Sequence, residues 1–427
     1  MKESSLDNTK DRFQLWTADL VCPVSDLPIR NGAVLTSNGK VVAVGEEEFI
    51  RPHSTFVTER HFKNSILIPG LVNSHTHLEL SGMQISPSKL SEWIPNLVSQ
   101  IREWPSHLFL SSSRIGTANS ISSGVTCVGD ISVSGESKTA IVDAGMRGVI
   151  FHEFLGINDR EAEIIFNKKM EEISESKNYE GESNEFVRNG LSPHSPYSTS
   201  SELYKRTVSY GSLNNWKVAT HLLESPDELQ FLETGEGGFQ DMFKKLKIDI
   251  DFFEPFGCSP IEYFNQKGIL RKIDLVVHCN QTDENDWRLL RTNGVHVCIC
   301  PRSASFFEHQ IADIMQMRSQ GVMLCLGTDS LASSPSLSVL EEAIALREED
   351  SSIEASELLM YCTLSGSKAL GFENEGVGSI MPGGVADFTV VEIPEDYKYL
   401  DIEHLFDKRS VVTCTVINGI IRFEKKT

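Results

Sequence analysis

Ile66-Leu67-Ile68-Pro69-Gly70-Leu71-Val72-Asn73-Ser74-His75-Thr76-His77-Leu78-Glu79 decides how the rest of the chain is read. An apolar run of strand character ends in two histidines one residue apart. Alternate residues of an extended strand point to the same face. His75 and His77 therefore present two imidazoles side by side at the strand's C-terminal end. Neutral imidazole suits zinc, iron and nickel. Two ligands make half a site, and the remainder has to come from elsewhere in the sequence.

Outward from this stretch, short apolar segments alternate with helical ones. The candidate strands are 66–74, 124–130, 148–154, 186–193, 217–222, 273–279, 295–300 and 322–328. Helical patterns such as 160–174, 201–210, 284–292 and 337–347 lie between them. Such alternation predicts an α/β fold with a parallel sheet and helices outside. Eight strands in this order predict a (β/α)8 TIM barrel, whose active site sits at the C-terminal strand ends.

Both flanks are different. Residues 13–62 read as short strands with an Asn38-Gly39 hairpin, and from Gly378 the chain returns to strands that close on Asn418-Gly419. The two ends are expected to combine into a small β-sandwich. The expected division is 1–63 and 376–427 for the sandwich and 64–375 for the barrel.

The chain has 427 residues, a net charge of −21 and a pI near 5.0. That acidity argues against nucleic acid, which wants a basic footprint, and against an anionic membrane surface. Nine cysteines without a Cys-x-x-Cys pair point to reduced thiols in a cytoplasmic protein. Cys298 and Cys300 read as packing. Met1–Arg12 is polar and lacks a signal-peptide core, and no apolar run reaches membrane-span length.

Further polar residues stand at the predicted strand ends: His194 after the fourth strand, His221 and Glu224 on the fifth, His278 on the sixth and Asp329 on the eighth. His75, His77, His221 and Asp329 form a nitrogen/oxygen set for one divalent ion with room for water. Water on such an ion ionises near neutral pH. Glu224 is placed to take that proton and return it to a substrate. His278 either holds the attacking water or polarises the scissile group, and Asp329 doubles as proton acceptor. Each residue alone has a plainer role. A lone buried histidine is more often a satisfied core residue, and Glu224 or Asp329 can cap the turn that follows. Their coincidence at strand ends, in barrel order, favours the metal site. Glu79 either contacts substrate or only begins a helix. Lys217 lies too early on its strand for a bridging carbamate, which favours one metal over two. Glu228, Glu233 and Glu236 read as a solvated helix face.

Several strings carry a family resemblance. Pro69 to His77 resembles the opening motif of the amidohydrolase superfamily. His194-Ser195-Pro196-Tyr197, His221-Leu222-Leu223-Glu224-Ser225, His278-Cys279, Gly327-Thr328-Asp329-Ser330 and Met381 to Phe388 are similar to its later motifs. Within it the chain resembles the mononuclear deaminase and chlorohydrolase branch. The resemblance implies metal ligation by His75, His77, His221 and Asp329, proton transfer by Glu224, and water positioning by His278. It implies a substrate contact at His194, and zinc or iron as the metal. His77 to Ser81, His221 to Glu228 and Gly327 to Ser333 are most similar to the aminodeoxyfutalosine deaminases. One departure is Ala304 after Cys300-Pro301-Arg302-Ser303, where the branch commonly carries asparagine. The implied activity is hydrolytic deamination of a purine-like nucleoside or base, with 6-amino-6-deoxyfutalosine of menaquinone biosynthesis as the specific substrate. S-adenosylhomocysteine, adenosine, guanine or a chlorinated triazine are the alternatives, and an inactive structural homologue is the remote one. The expected partner is a small molecule, with a homodimer as the common default.

Overall fold

The computed structural model describes residues 13–51, 57–175 and 186–426, so the polar stretch Met1–Arg12 lies outside the described residues. The strands in chain order are β1 Phe13–Val21, β2 Ile29–Ser37, β3 Lys40–Glu46, β4 Val57–Pro69, β5 Leu71–Thr76, β6 Val125–Ser132, β7 Arg147–Phe154 and β8 Val187–Pro193. They continue as β9 Ala219–Leu222, β10 Leu275–His278, β11 His296–Ile299, β12 Met323–Leu326, β13 Phe388–Glu392, β14 Val411–Ile417 and β15 Ile420–Glu424.

Eight of these strands are parallel. They form two four-stranded sheets, β5-β6-β7-β8 and β9-β10-β11-β12. Single parallel bridges join the sheet edges: Leu191 of β8 to Val218 before β9, and Thr76 of β5 to Asp329 beyond β12. Seven predicted strands recur with ends shifted by at most two residues. The first one divides at Gly70. Its leading half belongs to β4 in another sheet, and its trailing half is β5. The Gly70 amide bonds to Asp387, whereas the next amide, Leu71, turns to Gly124. A Cβ at Gly70 would stand 2.1 Å from Thr126 Oγ1, so only glycine fits at this crossing.

The predicted helices appear at Ala162–Glu175, Ser201–Asn214, Glu284–Asn293 and Val339–Glu349. Local chemistry starts them. Ser200 and Ser338 accept amide hydrogens from their helices' first turns, and Asp283 forms a capping box with Asp286. Inside the parallel strands, Val72, Phe151, Leu275, Val277, Cys298, Cys300 and Cys325 form one buried cluster. Cys298 and Cys300 are indeed packing residues. Among the described residues no helix is long and apolar enough to cross a membrane.

The two chain ends do combine. They make one continuous seven-stranded mixed sheet, ordered β15-β14-β13-β4-β1-β2-β3, instead of two separate facing sheets. The sheet rolls over itself: Lys40 at its β3 edge bridges Val385, and Trp16, Val34, Val41, Leu67, Phe388 and Val416 share one core. Positive φ at Asn38 (51°), Gly39 (74°), Asn418 (55°) and Gly419 (73°) matches the tight hairpins read from Asn-Gly. Arg147 at the start of β7 pairs with buried Asp387 at 2.7 Å, tying this sheet to the parallel strands.

Candidate metal and catalytic site

β5, β9 and β10 deliver the histidines, and the turn after β12 delivers Asp329. The Nε2 atoms of His75 and His77 each lie 3.7 Å from Asp329 Oδ1. His77 Nε2 and His221 Nε2 approach to 3.2 Å. His221 Nδ1 donates to the carbonyl of His194 at 3.1 Å, which leaves its Nε2 lone pair facing inward. His75 Nε2 is fully buried without a hydrogen-bond partner. An orphaned imidazole nitrogen aimed at two others and a carboxylate is costly unless a cation shares them. The donor atoms of His75, His77 and His221 lie within 4.8 Å of one another, as do those of Glu224, His278 and Asp329. Three imidazoles and a carboxylate suit a divalent ion.

The surroundings tune this set. Burial, then the neighbouring His75, hold His77 down to about 3. Burial likewise holds His278 down to about 3 and His194 to about 4, and keeps His221 well below its ordinary value. Neutral imidazole is the ligating form. Burial, then Asp329 and Glu228, push the Glu224 carboxyl well up. Burial also works to raise Asp329, but the facing histidines outweigh it and keep this carboxyl well below the usual range. Ser303 Oγ (2.7 Å) and Ser333 Oγ (2.8 Å) both donate to Asp329 Oδ2, which fixes the carboxylate and turns Oδ1 to the histidines.

The strand ends are bent. Leu223 (φ 55°), His278 (73°), Cys279 (53°) and Asp329 (58°) all adopt the left-handed region. Each such non-glycine residue costs about 1–3 kcal/mol and needs its surroundings to hold it. At Leu223 the holder is Glu228. Its Oε1 accepts from Leu223 N (3.1 Å) and Ser195 Oγ (3.2 Å), and its Oε2 accepts from Glu224 N at 2.7 Å. Glu228 is therefore buried, not part of a solvated face. The left-handed turn swings two amides over the first turn of helix Pro226–Thr234, which Ser225 caps, and Glu228 folds in to meet them.

The other expected residues divide. His278 Nε2 lies 3.7 Å from Glu224 Oε2, so the two stand side by side. His194 lines the cavity above the site, with Nδ1 at 2.6 Å from Ser198 Oγ. Glu79 does not reach it. Its carboxylate accepts from Ser132 Oγ (2.6 Å), Ser134 Oγ (2.7 Å), Val133 N (2.9 Å) and Ser134 N (3.1 Å). Four donors leave no capacity for substrate, and the residue sits in a short 3-10 turn, Leu78–Leu80. Lys217 pairs with Asp274 at 2.8 Å, before its strand begins. Ala304 is buried in the short helix Pro301–Phe306 after β11, beside the Ser303 that holds Asp329.

A cavity of about 850 Å³ opens over the site. Helix Leu90–Glu103 contributes Leu90, Trp93, Ile94 and Leu97 to its wall, and helix Gly238–Leu246 contributes Met242, Phe243 and Leu246. Arg102 and Arg160 stand at its exposed edge. Glu153 lines it from the end of β7. Sequence reading passed over Glu153, Ser303 and Ser333. Glu153 carried one signal, a carboxylate at a strand's C-terminal end.

The sequence profile of the amidohydrolase family matches residues 66–421. The chain belongs to the amidohydrolase family. Among curated proteins the chain is similar to an aminodeoxyfutalosine deaminase from a Nitratiruptor species, 30% identical over 362 residues, or 82% of this chain and 84% of that one. A 5-methylthioadenosine/S-adenosylhomocysteine deaminase from Halothermothrix orenii is 24% identical over 414 residues, or 92% of this chain and 89% of that one. Among solved structures, an adenosine deaminase from Xanthomonas campestris with bound zinc superposes with a TM-score of 0.78 at 20% identity, covering 96% of this chain and 93% of that one. At that identity the likeness concerns the fold. This amidohydrolase is a hydrolase of carbon–nitrogen bonds, and its donor set and family call for a divalent metal.

Proposed function

We propose that this amidohydrolase is a metal-dependent deaminase of purine nucleosides, with 6-amino-6-deoxyfutalosine as its substrate. The observation that carries the chemistry is the pairing of an orphaned His75 Nε2, amid His77, His221 and Asp329, with a buried Glu224 carboxyl beside His278. His75, His77, His221 and Asp329 would hold one ion, zinc by preference and iron as the alternative. When bound, the ion supplies Lewis acidity, lowering the pKa of water toward neutrality and stabilising developing negative charge. The side chains do the rest. Glu224 takes a proton from the attacking water and delivers it to the ring nitrogen beside the amino-bearing carbon. His278 holds the water against that carbon. Asp329 accepts the remaining proton and passes it to the departing amine, which leaves as ammonia. His194 contacts the bound ring system.

The relative named for aminodeoxyfutalosine supports the substrate, and so does the outer cavity. Its apolar walls suit a large apolar substituent. Arg102 and Arg160 have no ion-pair partner among the described residues and suit an anionic end on it. S-adenosylhomocysteine is the second reading, favoured by the relative named for it and by the same two guanidinium groups. The test is ammonia release by zinc- or iron-loaded protein offered 6-amino-6-deoxyfutalosine, S-adenosylhomocysteine, adenosine and guanine in parallel. A preference for the first is expected, and silence on all four overturns the reading.

The same reading takes 64–375 as one closed (β/α)8 barrel, supported by the two edge bridges, with 1–63 and 376–427 as its sandwich-like flank. Nine unpaired cysteines support a reducing, cytoplasmic setting. A homodimer completes the reading as the common habit of such enzymes.

A further inference from the structure

Glu153 is a buried carboxylate for which the reaction above has no task. It is 7% exposed, at the penultimate position of β7, and it lines the cavity. Two other buried glutamates of this region are saturated with donors: Glu79 by two hydroxyls and two amides, Glu228 by two amides and a hydroxyl, while Glu224 is left open for the reaction. Glu153 has no hydrogen-bond donor among the described residues. His194 Nε2 stands 3.9 Å from its Oε1, beyond hydrogen-bond reach, while the other ring nitrogen of His194 is engaged by Ser198. The Glu153 carboxylate and the Nε2 side of His194 thus line the same cavity close to one another, without a hydrogen-bond partner among the described residues.

Buried carboxylates are normally met by donors. Here the donors have to come with the ligand. The position says which part of it. His194 lies against the candidate ligand His221, with ring centroids 4.9 Å apart, and Glu153 stands one side chain further out. A group at Glu153 is therefore attached beyond the reacting ring. A carboxylate with two free oxygens matches a pair of neighbouring hydroxyls, the same chemistry by which an acidic residue holds ribose in dinucleotide sites.

We propose that Glu153 accepts hydrogen bonds from two vicinal hydroxyls of a ribose-type sugar, and so makes the enzyme select nucleosides over sugar-free or dideoxy analogues. The inference rests on the deaminase reading above. Its electrostatics agree: burial raises the free carboxyl to about 7, with Lys169 opposing, and hydroxyl donors favour the ionised form that accepts them.

The test compares adenosine with 2′,3′-dideoxyadenosine on the metal-loaded full chain and on Glu153→Gln. Two measurements are made: steady-state ammonia release, and calorimetric binding. Wild type is expected to prefer adenosine by about 10- to 100-fold in kcat/KM, the value of hydrogen bonds to a charged group. Glu153→Gln is expected to lose that preference through KM, with metal content and kcat little changed. Equal losses on both nucleosides mean a structural role and overturn the inference. So does a wild-type enzyme indifferent to the hydroxyls, a result that needs no variant to fold. If no purine releases ammonia, the deaminase reading fails, and binding still decides the sugar contact: a hydroxyl preference abolished by Glu153→Gln supports it, and equal affinities overturn it.

Discussion

Glu228 Oε2 accepts the backbone hydrogen of Glu224 at 2.7 Å, so one buried carboxylate holds the backbone of the other. The same residue stabilises left-handed Leu223. Replacing it with alanine leaves two buried amides without acceptors, which costs about 1–3 kcal/mol for each group. Glu224 would then lose its aim. We expect Glu228→Ala to lower kcat by about 10²-fold, the scale of a small misplacement near the chemistry, while metal content by elemental analysis stays at the wild-type level. Unchanged kcat would remove Glu228 from any positioning role.

Glu228 also predicts a pH dependence of stability. Burial, opposed by its hydrogen-bond donors, pushes it from the ordinary 4.5 up to about 7. Between those values the folded chain keeps a proton that the unfolded chain has released. Its contribution to stability is therefore complete below about 4.5 and is lost as pH rises through about 7. The unfolding midpoint of wild type should fall over that window more steeply than that of Glu228→Gln. Parallel profiles would place the titration elsewhere.

Asp329 owes its orientation to Ser303 and Ser333. The double variant Ser303→Ala/Ser333→Ala frees Oδ2 and lets the carboxylate rotate. Metal affinity should drop by about 10- to 100-fold, as for other groups that orient ligands. Competition with a chromophoric chelator measures it, and an unshifted titration curve counts against Asp329 as a ligand.

Glu224→Gln keeps the shape of the site but cannot carry a proton. It should retain the metal and lose about 10²- to 10⁴-fold in kcat. Full activity in this variant would transfer the proton role to another group.

The Arg147–Asp387 pair lies at 2.7 Å with both side chains buried, and Asp387 also accepts from Asn418 N at 2.7 Å. Asp387→Ala strands a guanidinium in the interior, which costs about 3–5 kcal/mol. Denaturant unfolding should shift by that amount, and a shift below about 1 kcal/mol would mean that water reaches Arg147.

Much of the site was legible because its signals are local. His75 and His77 share a face by strand geometry alone, and His221, His278 and Asp329 each follow an apolar run long enough to read as a strand. What stayed hidden depends on distant partners. Glu79 stayed open between a substrate contact and a helix start because Ser132 and Ser134, which occupy it, lie some fifty residues on. Glu228 looked solvated because acidic residues in a helix's first turn are ordinary, and nothing local announces the left-handed Leu223 that draws it inward. The strand break at Gly70 was invisible in an uninterrupted apolar run. The partner that ends β4 there, Asp387, comes from near the far end of the sequence. Likewise the cavity walls belong to helices in connecting segments, whose approach to one another no periodicity reports.

β4 lies between β1 and β13, and only a glycine separates it from the strand that carries His75. β13 follows all eight parallel strands in the sequence. On the ribosome, β4 must therefore wait, half-paired, until all eight parallel strands have been made. The base of the first histidine-bearing strand is anchored on a strand that emerges after all of them, so a chain terminated before β13 would carry every metal-site residue and still lack the clamp that sets the first two in place.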